Sequence, residues 1–129
     1  MFGTRRKKDS ELAKAVTDLG QATTVAFGGV GIAGRLLPET EAYQRVAAAV
    51  TDHPASVRDL LDRLLTTGGP AGRVYAATLL ELLELLDPAT GRAAWTSLRG
   101  DPAQVRNISG CVMGSTTVGE YAAERLAGA

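Results

Sequence analysis

The sequence has little of the side-chain chemistry on which active sites and metal sites depend. Its 129 residues include one cysteine, Cys111, and one histidine, His53. A single cysteine excludes an intramolecular disulfide and favours a cytoplasmic protein. A metal site, or a Ser–His or Cys–His nucleophile, needs several converging groups. We therefore expect no metal, no cofactor and no catalytic activity.

Aromatic residues and lysines are also scarce. The chain has one tryptophan, three tyrosines and two phenylalanines, and its apolar content is mostly alanine, leucine and valine. Three of its fourteen basic residues are lysines and the rest are arginines, a bias typical of GC-rich bacterial coding sequences. Hydrophobic residues make up 45% of the chain and charged residues 22%, which is ordinary for a globular protein of one domain.

The charge is unevenly placed, although the formal net charge is zero. Residues 5–8 are all basic, and without them the chain has ten basic and fourteen acidic residues. An acidic body argues against nucleic-acid binding, which needs several cations at several phosphates. We interpret residues 1–9 as a basic, flexible tail and residues 10–129 as a single helical domain.

Four prolines divide the centre of the chain. Pro54, Pro70, Pro88 and Pro102 are each followed by alanine and, within four residues, by arginine. Proline suits the first turn of a helix, where its missing N–H would have no partner. The prolines are 16, 18 and 14 residues apart, which leaves room for about three helical turns and a short connection. The pattern predicts four successive short helices, packed in antiparallel pairs.

Apolar periodicity agrees with these helices and extends the pattern toward both ends. Apolar residues recur every three or four positions in several segments, which predicts helices with one buried face. The segments are residues 10–19, with Ser10 as the cap, and residues 39–51, 55–66 and 88–98. Residues 70–86 are apolar around most of the helix and leave Arg73, Glu81 and Glu84 as a thin polar stripe, which predicts the central helix. Thr117 and Glu120 have the spacing of a capping box and predict a last helix. Residues 105–116 are rich in β-branched residues and glycine, which predicts a loop or a small hairpin. The expected fold class is all-α, a compact stack of antiparallel short helices.

The segment from about residue 50 to residue 106 resembles HEAT-like helical repeats of the short kind. The resemblance is carried by the runs LLDPA at 85–89 and LRGDPAQVR at 98–106. It covers less than half of the chain. Gly69 stands where the family has an aspartate, and the spacing is irregular, so a compact bundle fits as well as a regular superhelix.

The resemblance also implies contacts between successive repeats, through the aspartate before each proline and the arginine after it. It pairs Asp87 with Arg92 and Asp101 with Arg106. A separate argument comes from the helix dipole, which disfavours positive charge in the first turn. We therefore expect the first-turn arginines to bind the carbonyl end or the carboxylates of an adjacent helix; an exposed row that binds an acidic partner is the alternative. These arginines are Arg58, Arg73, Arg92 and Arg106.

A glycine-rich segment at 20–37 carries the remaining motif. Gly29, Gly31 and Gly34 match the dinucleotide-binding fingerprint, and residues 23–27 before them have the composition of a strand. Three residues separate Gly34 from Pro38, which is too few for the crossover helix, and no second strand with a terminal acidic residue follows. A dinucleotide-binding enzyme is therefore only a remote alternative.

The same segment raises the question of membrane contact. No charged residue occurs from Leu19 to Gly34. These sixteen residues fall short of the roughly 20 that span a bilayer, and they include five glycines. Close packing of this segment on another helix or chain is the simpler interpretation.

The function that fits these observations is a non-catalytic protein–protein interaction or scaffold module that presents a helical surface. We expect a protein partner or self-association, as a subunit of a homo- or hetero-oligomer, and no nucleic acid. The alternative is a peripheral membrane or assembly factor that uses the basic tail and residues 20–37, with membrane contact confined to residues 1–37. The interaction module is inferred from the fold and not from a site.

Overall fold

The computed structural model describes residues 2–27, 37–83, 88–109 and 112–128. Helices dominate, which confirms the helical class, but a small three-stranded sheet shows that the chain is not all-α. In chain order the elements are α1 (Phe2–Gly20), β1 (Thr24–Val25), α2 (Pro38–Asp52), α3 (Pro54–Thr67), α4 (Pro70–Leu82), α5 (Pro88–Leu98), β2 (Gln104–Ser109), β3 (Val112–Thr117) and α6 (Val118–Gly128).

Proline marks most of the helix starts. Pro38, Pro54, Pro70 and Pro88 are each the first residue of a helix, as predicted for three of the four Pro-Ala sites. The prediction is wrong at Pro102, which lies two residues before β2. There the following residues find their backbone partners in two other strands instead of in a helix.

The first helix is longer than the segment predicted from its apolar spacing. It begins at Phe2, so Ser10 lies inside the helix and is not its cap, and residues 2–9, which we interpreted as a flexible tail, are helical. The inward positions agree with the prediction, because the side chains spaced for one face are buried. These are Leu12, Val16 and Leu19.

The core is built around α4, as its nearly continuous apolar sequence predicts. This helix contacts the other five helices as well as β1 and β2. Val74, Tyr75 and Leu79 are fully buried on it. The remaining helices and the sheet therefore surround α4 and expose their outer surfaces.

The sheet has the order β1-β2-β3, with β2 in the centre. β1 is parallel to β2 and pairs Thr24 with Arg106, whereas β2 and β3 form an antiparallel hairpin that pairs Asn107 with Gly114. The hairpin was one of the two alternatives predicted near 105–116. Val25 and Val105 are buried, so one face of the sheet packs toward the helices and the other faces outward.

Candidate interaction site

The outer edge of β1 is covered by a side chain from the central helix. The Tyr75 hydroxyl accepts a hydrogen bond from the Ala26 N–H at 2.8 Å, and it lies 3.0 Å from the Thr24 carbonyl and 3.1 Å from the Ala26 carbonyl, to which it can donate. The buried Thr40 hydroxyl on α2 also donates to the Ala26 carbonyl, at 2.7 Å. The phenol thus takes the position of a further strand, and we call this side of the sheet the closed edge.

Aromatic packing holds that phenol in place. The ring centroid of Tyr75 lies 5.4 Å from that of Phe27 and 5.8 Å from that of Tyr43. Tyr75 has no solvent exposure, and burial raises its pKa to about 12. The hydroxyl therefore keeps its proton at neutral pH, as the hydrogen bond that it donates requires.

The contacts of Tyr75 also fix the direction of the backbone groups in the sheet. The Thr24 carbonyl and the Ala26 N–H both point toward Tyr75. Because these groups alternate along a strand, Val25 directs its own N–H and C=O toward β2. In the parallel register, Arg106 of β2 then directs its groups back toward β1.

The same alternation shows which groups on β3 have no partner in the sheet. Since Arg106 faces β1, its neighbour Asn107 faces β3, where it pairs with Gly114. The residues on either side of Gly114, Met113 and Ser115, therefore direct their N–H and C=O groups away from the sheet. Among the described residues, none hydrogen-bonds to these outward groups.

We call this side of the sheet, formed by Met113 and Ser115, the open edge. The strand reads VMGSTT, without charge or proline. Met113 is 68% exposed, and Gly114 and Ser115 are exposed as well. Natural proteins usually protect an edge strand with charged side chains, proline or a covering element. The open edge has none of these within the described parts of the chain.

The outward face of the sheet carries the one charged side chain of the two long strands. Gln104, Arg106 and Ile108 of β2 alternate to this face, beside Ser115 and Met113 of β3. A cleft of about 330 Å³ is lined by Thr23, Gln104, Val105, Arg106 and Ser115. No described carboxylate forms an ion pair with Arg106.

The arginine on α4 lies at the junction that attaches the hairpin to the helices. Arg73 forms an ion pair with Asp101 at 2.7 Å and donates to the Gly68 carbonyl at 2.9 Å. Asp101 also accepts from the Ala103 N–H at 2.9 Å. The resemblance pairs Asp101 with Arg106, and that pairing is wrong, because Arg106 lies on β2 and Arg73 takes the carboxylate.

Asp101 also contacts the start of α6 through its backbone. Its carbonyl accepts from the Gly119 N–H at 2.8 Å, and the Ala103 carbonyl accepts from the Val118 N–H at 2.9 Å. A Cβ at Gly119 would lie 2.6 Å from the Arg99 carbonyl oxygen, so only glycine permits this close approach. The junction therefore joins α4, the start of β2 and α6.

The other predicted arginines occupy separate elements. Arg58 is exposed on α3 and Arg92 is exposed on α5. The predicted partner of Arg92, Asp87, lies outside the described residues. The ion pair of Arg73 with Asp101 joins α4 to the segment before β2.

A polar and aromatic cluster joins α4, α5 and α6. Glu81 accepts a hydrogen bond from Trp95 Nε1 at 3.3 Å and forms an ion pair with Arg125. The Arg125 guanidinium lies 5.8 Å from the centroid of the Trp95 ring, and Tyr121 stacks on the same ring at 5.7 Å. Burial raises the pKa of Tyr121. Sequence reasoning placed Glu81 in a thin polar stripe on α4 and did not identify these contacts, which have no local sequence signal.

Groups suited to catalysis do not converge in the described residues. His53 is exposed and lines a cleft of about 310 Å³ with Glu11 and Arg45, between α1 and α2. Across the described ranges, no three histidine, cysteine or acidic side chains lie close enough together to hold a metal ion. The glycine fingerprint and Cys111 lie outside the described residues.

None of the helices within the described residues is both long enough and apolar enough to cross a bilayer.

Comparison of the chain with protein-family models, curated protein sequences and solved structures finds no match.

Proposed function

We propose that this chain is a non-catalytic protein-interaction module that binds an extended strand of a protein partner along its open edge. The observation that carries the proposal is the difference between the two sides of one sheet. The closed edge is occupied by the buried Tyr75 hydroxyl, whereas Met113 and Ser115 present backbone donors and acceptors to the outside.

Strand addition supplies both affinity and selectivity for such a site. Each backbone hydrogen bond contributes about 0.5–1.5 kcal/mol net, and side chains on alternating faces of the added strand discriminate between partners. An added strand of this length buries less than about 1,000 Å², the size of a transient interface. We therefore expect micromolar affinity, unless further surfaces take part.

The sequence-based proposal of a helical surface makes a different prediction. Binding along helices would not depend on the backbone of β3, whereas binding along the open edge requires the Ser115 N–H. Ser115→Pro removes that N–H while leaving the pairing between β2 and β3, because proline is tolerated where the N–H faces outward. Ser115→Ala retains the N–H and is the matched control.

The experiment is affinity capture from the cell extract, with wild type, Ser115→Pro and Ser115→Ala immobilised at equal density. We expect wild type and Ser115→Ala to retain the same partner and Ser115→Pro to retain it at least tenfold less. Circular dichroism shows whether each variant is folded. Equal retention by a folded Ser115→Pro variant contradicts binding at the open edge and favours the helical surface.

A further inference from the structure

We infer that the strand bound at the open edge is β3 of a second copy of this chain, in antiparallel register with Gly114 opposite Gly114. The inference rests on the proposed function and names its partner. It joins two three-stranded sheets into one continuous sheet of six strands.

The backbone groups of the open edge are complementary to themselves in this register. Met113 and Ser115 lie two residues apart and both face outward. With Gly114 on the two-fold axis, Met113 of each copy lies opposite Ser115 of the other. Both pairs then occupy hydrogen-bonded positions of an antiparallel ladder, so each exchanges two N–H···O=C bonds. Every outward group of these two residues gains a partner.

Gly114, the residue on the two-fold axis, permits a close approach of the two β3 backbones. Gly114 opposite Gly114 is a pair without mutual hydrogen bonds, in which the Cα atoms come within about 4.5 Å. A Cβ at this position would contact the Asn107 side chain within the same copy. The strand therefore has no side chain at the point where the two backbones come closest.

The same register brings the two Met113 side chains together near the centre of the outward face. Across the four central strands, one row of side chains reads Arg106, Ser115, then Met113 and Ile108 of the second copy. The next row is its two-fold equivalent. The two Met113 side chains are then diagonal neighbours, about 7–8 Å apart between backbones, which a flexible thioether can bridge. This pairing covers Met113, which is 68% exposed in the single chain.

Charge does not oppose the pairing. Arg106 is the one charged side chain in β2 and β3. The two copies of Arg106 are three strand spacings apart, about 14–15 Å, which exceeds the screening length of about 8 Å at physiological ionic strength. No charged side chain lies at the edge itself.

The closed edge limits the assembly to two copies. A sheet with two open edges can add chains without end and form a fibre, whereas a two-fold contact through one edge is closed. Tyr75 occupies the side of β1 on which a further strand would pair. The described sheet of each copy therefore has one strand-pairing edge, and the two-fold contact uses the edges of both copies.

The first test is sedimentation equilibrium of the full chain between about 1 µM and 1 mM, within the affinity range expected for a small interface. We expect wild type and Ser115→Ala to form dimers, with no larger species, and Ser115→Pro to raise the dimer dissociation constant at least tenfold. If the proline variant does not fold, Met113→Lys takes its place in the test. It puts a charge at the edge, and we expect the same increase in the dissociation constant. A wild-type chain that stays monomeric at 1 mM overturns the inference, and so does a dimer that both edge variants leave unchanged.

The second test reads the register directly in the wild-type chain. NMR of a mixture of isotope-labelled and unlabelled protein detects contacts between the two copies. We expect an Hα–Hα contact between Gly114 of one copy and Gly114 of the other, and slower exchange of the Met113 and Ser115 amides as concentration rises. An intermolecular contact centred on another residue overturns the register. A monomeric wild-type chain whose captured partner is still lost in Ser115→Pro overturns this inference while leaving the proposed function intact.

Discussion

The two edges of the sheet differ in how their backbone groups are satisfied. At the closed edge the Tyr75 phenol, packed against Phe27 and Tyr43, replaces a neighbouring strand. At the open edge a neutral six-residue strand presents its backbone to the outside. Within the residues that the structure describes, one edge is covered and the other is not, so the exposure of β3 is specific to that side of the sheet.

The largest expected effect comes from opening the closed edge. Tyr75→Phe leaves the ring in place but removes the hydroxyl, so the buried Ala26 N–H loses its acceptor. We expect the free energy of unfolding to fall by about 2–3 kcal/mol, the penalty of an unsatisfied buried donor. Denaturant unfolding measures it. Tyr43→Phe is the control, since no described residue hydrogen-bonds to that hydroxyl, and equal losses in the two variants would argue against Tyr75 as the edge cap.

Alkaline pH tests the same contact without changing its geometry. The folded pKa of Tyr75 is raised to about 12 from an ordinary value of 10, so its contribution to stability is complete below pH 10 and is lost as pH rises to 12. Two pKa units correspond to about 2–3 kcal/mol. We expect the free energy of unfolding of wild type to fall over this window and that of Tyr75→Phe to fall less steeply. Parallel pH profiles of the two proteins would contradict the assignment. Some dependence should remain in the variant, because burial also raises the pKa of Tyr43 and Tyr121.

A smaller effect is expected where the hairpin is attached to the helices. Asp101→Ala removes the ion pair with Arg73 and the acceptor of the Ala103 N–H. Because both side chains of the pair are about one-fifth exposed, we expect a loss of about 2 kcal/mol, less than for a fully buried pair. Thermal unfolding measures it, with the exposed Asp59→Ala as the control, for which we expect a change within about 0.5 kcal/mol.

The ion pair of Glu81 should contribute less to the free energy of unfolding than that of Asp101. Glu81→Gln retains an acceptor for Trp95 Nε1 but loses the ion pair with Arg125, whose side chain is 47% exposed. A partly exposed pair contributes up to about 1 kcal/mol, and salt screens it. Urea unfolding at low and at high salt should show a difference from wild type that shrinks with ionic strength. A loss that salt does not change would instead indicate packing as the cause.

The smallest change in stability is expected at the open edge. The N–H of Ser115 faces outward, so Ser115→Pro removes no hydrogen bond within the sheet. We expect the monomer to lose no more than about 1 kcal/mol, measured by unfolding at low concentration. A loss as large as that of Tyr75→Phe would show that this N–H already has a partner within the chain, and the two edges would then be alike.

Local signals in the sequence predict the helical part of this fold well. Proline at a first turn and apolar residues at helical spacing identify α2, α3, α4 and α5. The capping box also agrees, because the Glu120 N–H donates to the Thr117 hydroxyl at 3.0 Å. The Glu120 carboxylate departs from the motif and accepts from the Thr116 hydroxyl at 2.9 Å. Such contacts lie within one turn, where a few residues decide the structure.

What the sequence does not predict depends on distant partners. Pro102 has the same local pattern as the other prolines, but the residues after it pair with β1, far away in the chain. Tyr75 falls on an apolar helix face, and its hydroxyl bonds to a residue 49 positions away. The open edge exists because no further strand of the described residues pairs with the outer side of β3. No pattern within a short window contains that information.

The parallel pairing of Thr24 with Arg106 has a consequence for the order of events during biosynthesis. Most of the chain lies between these two residues, so an N-terminal fragment that stops before β2 leaves β1 without its neighbour. Helices α1 to α4 can begin to pack as they leave the ribosome, but the Val25 N–H and C=O have no strand partner until β2 has been made. We expect the protein to gain its native protease resistance in one late step and not helix by helix.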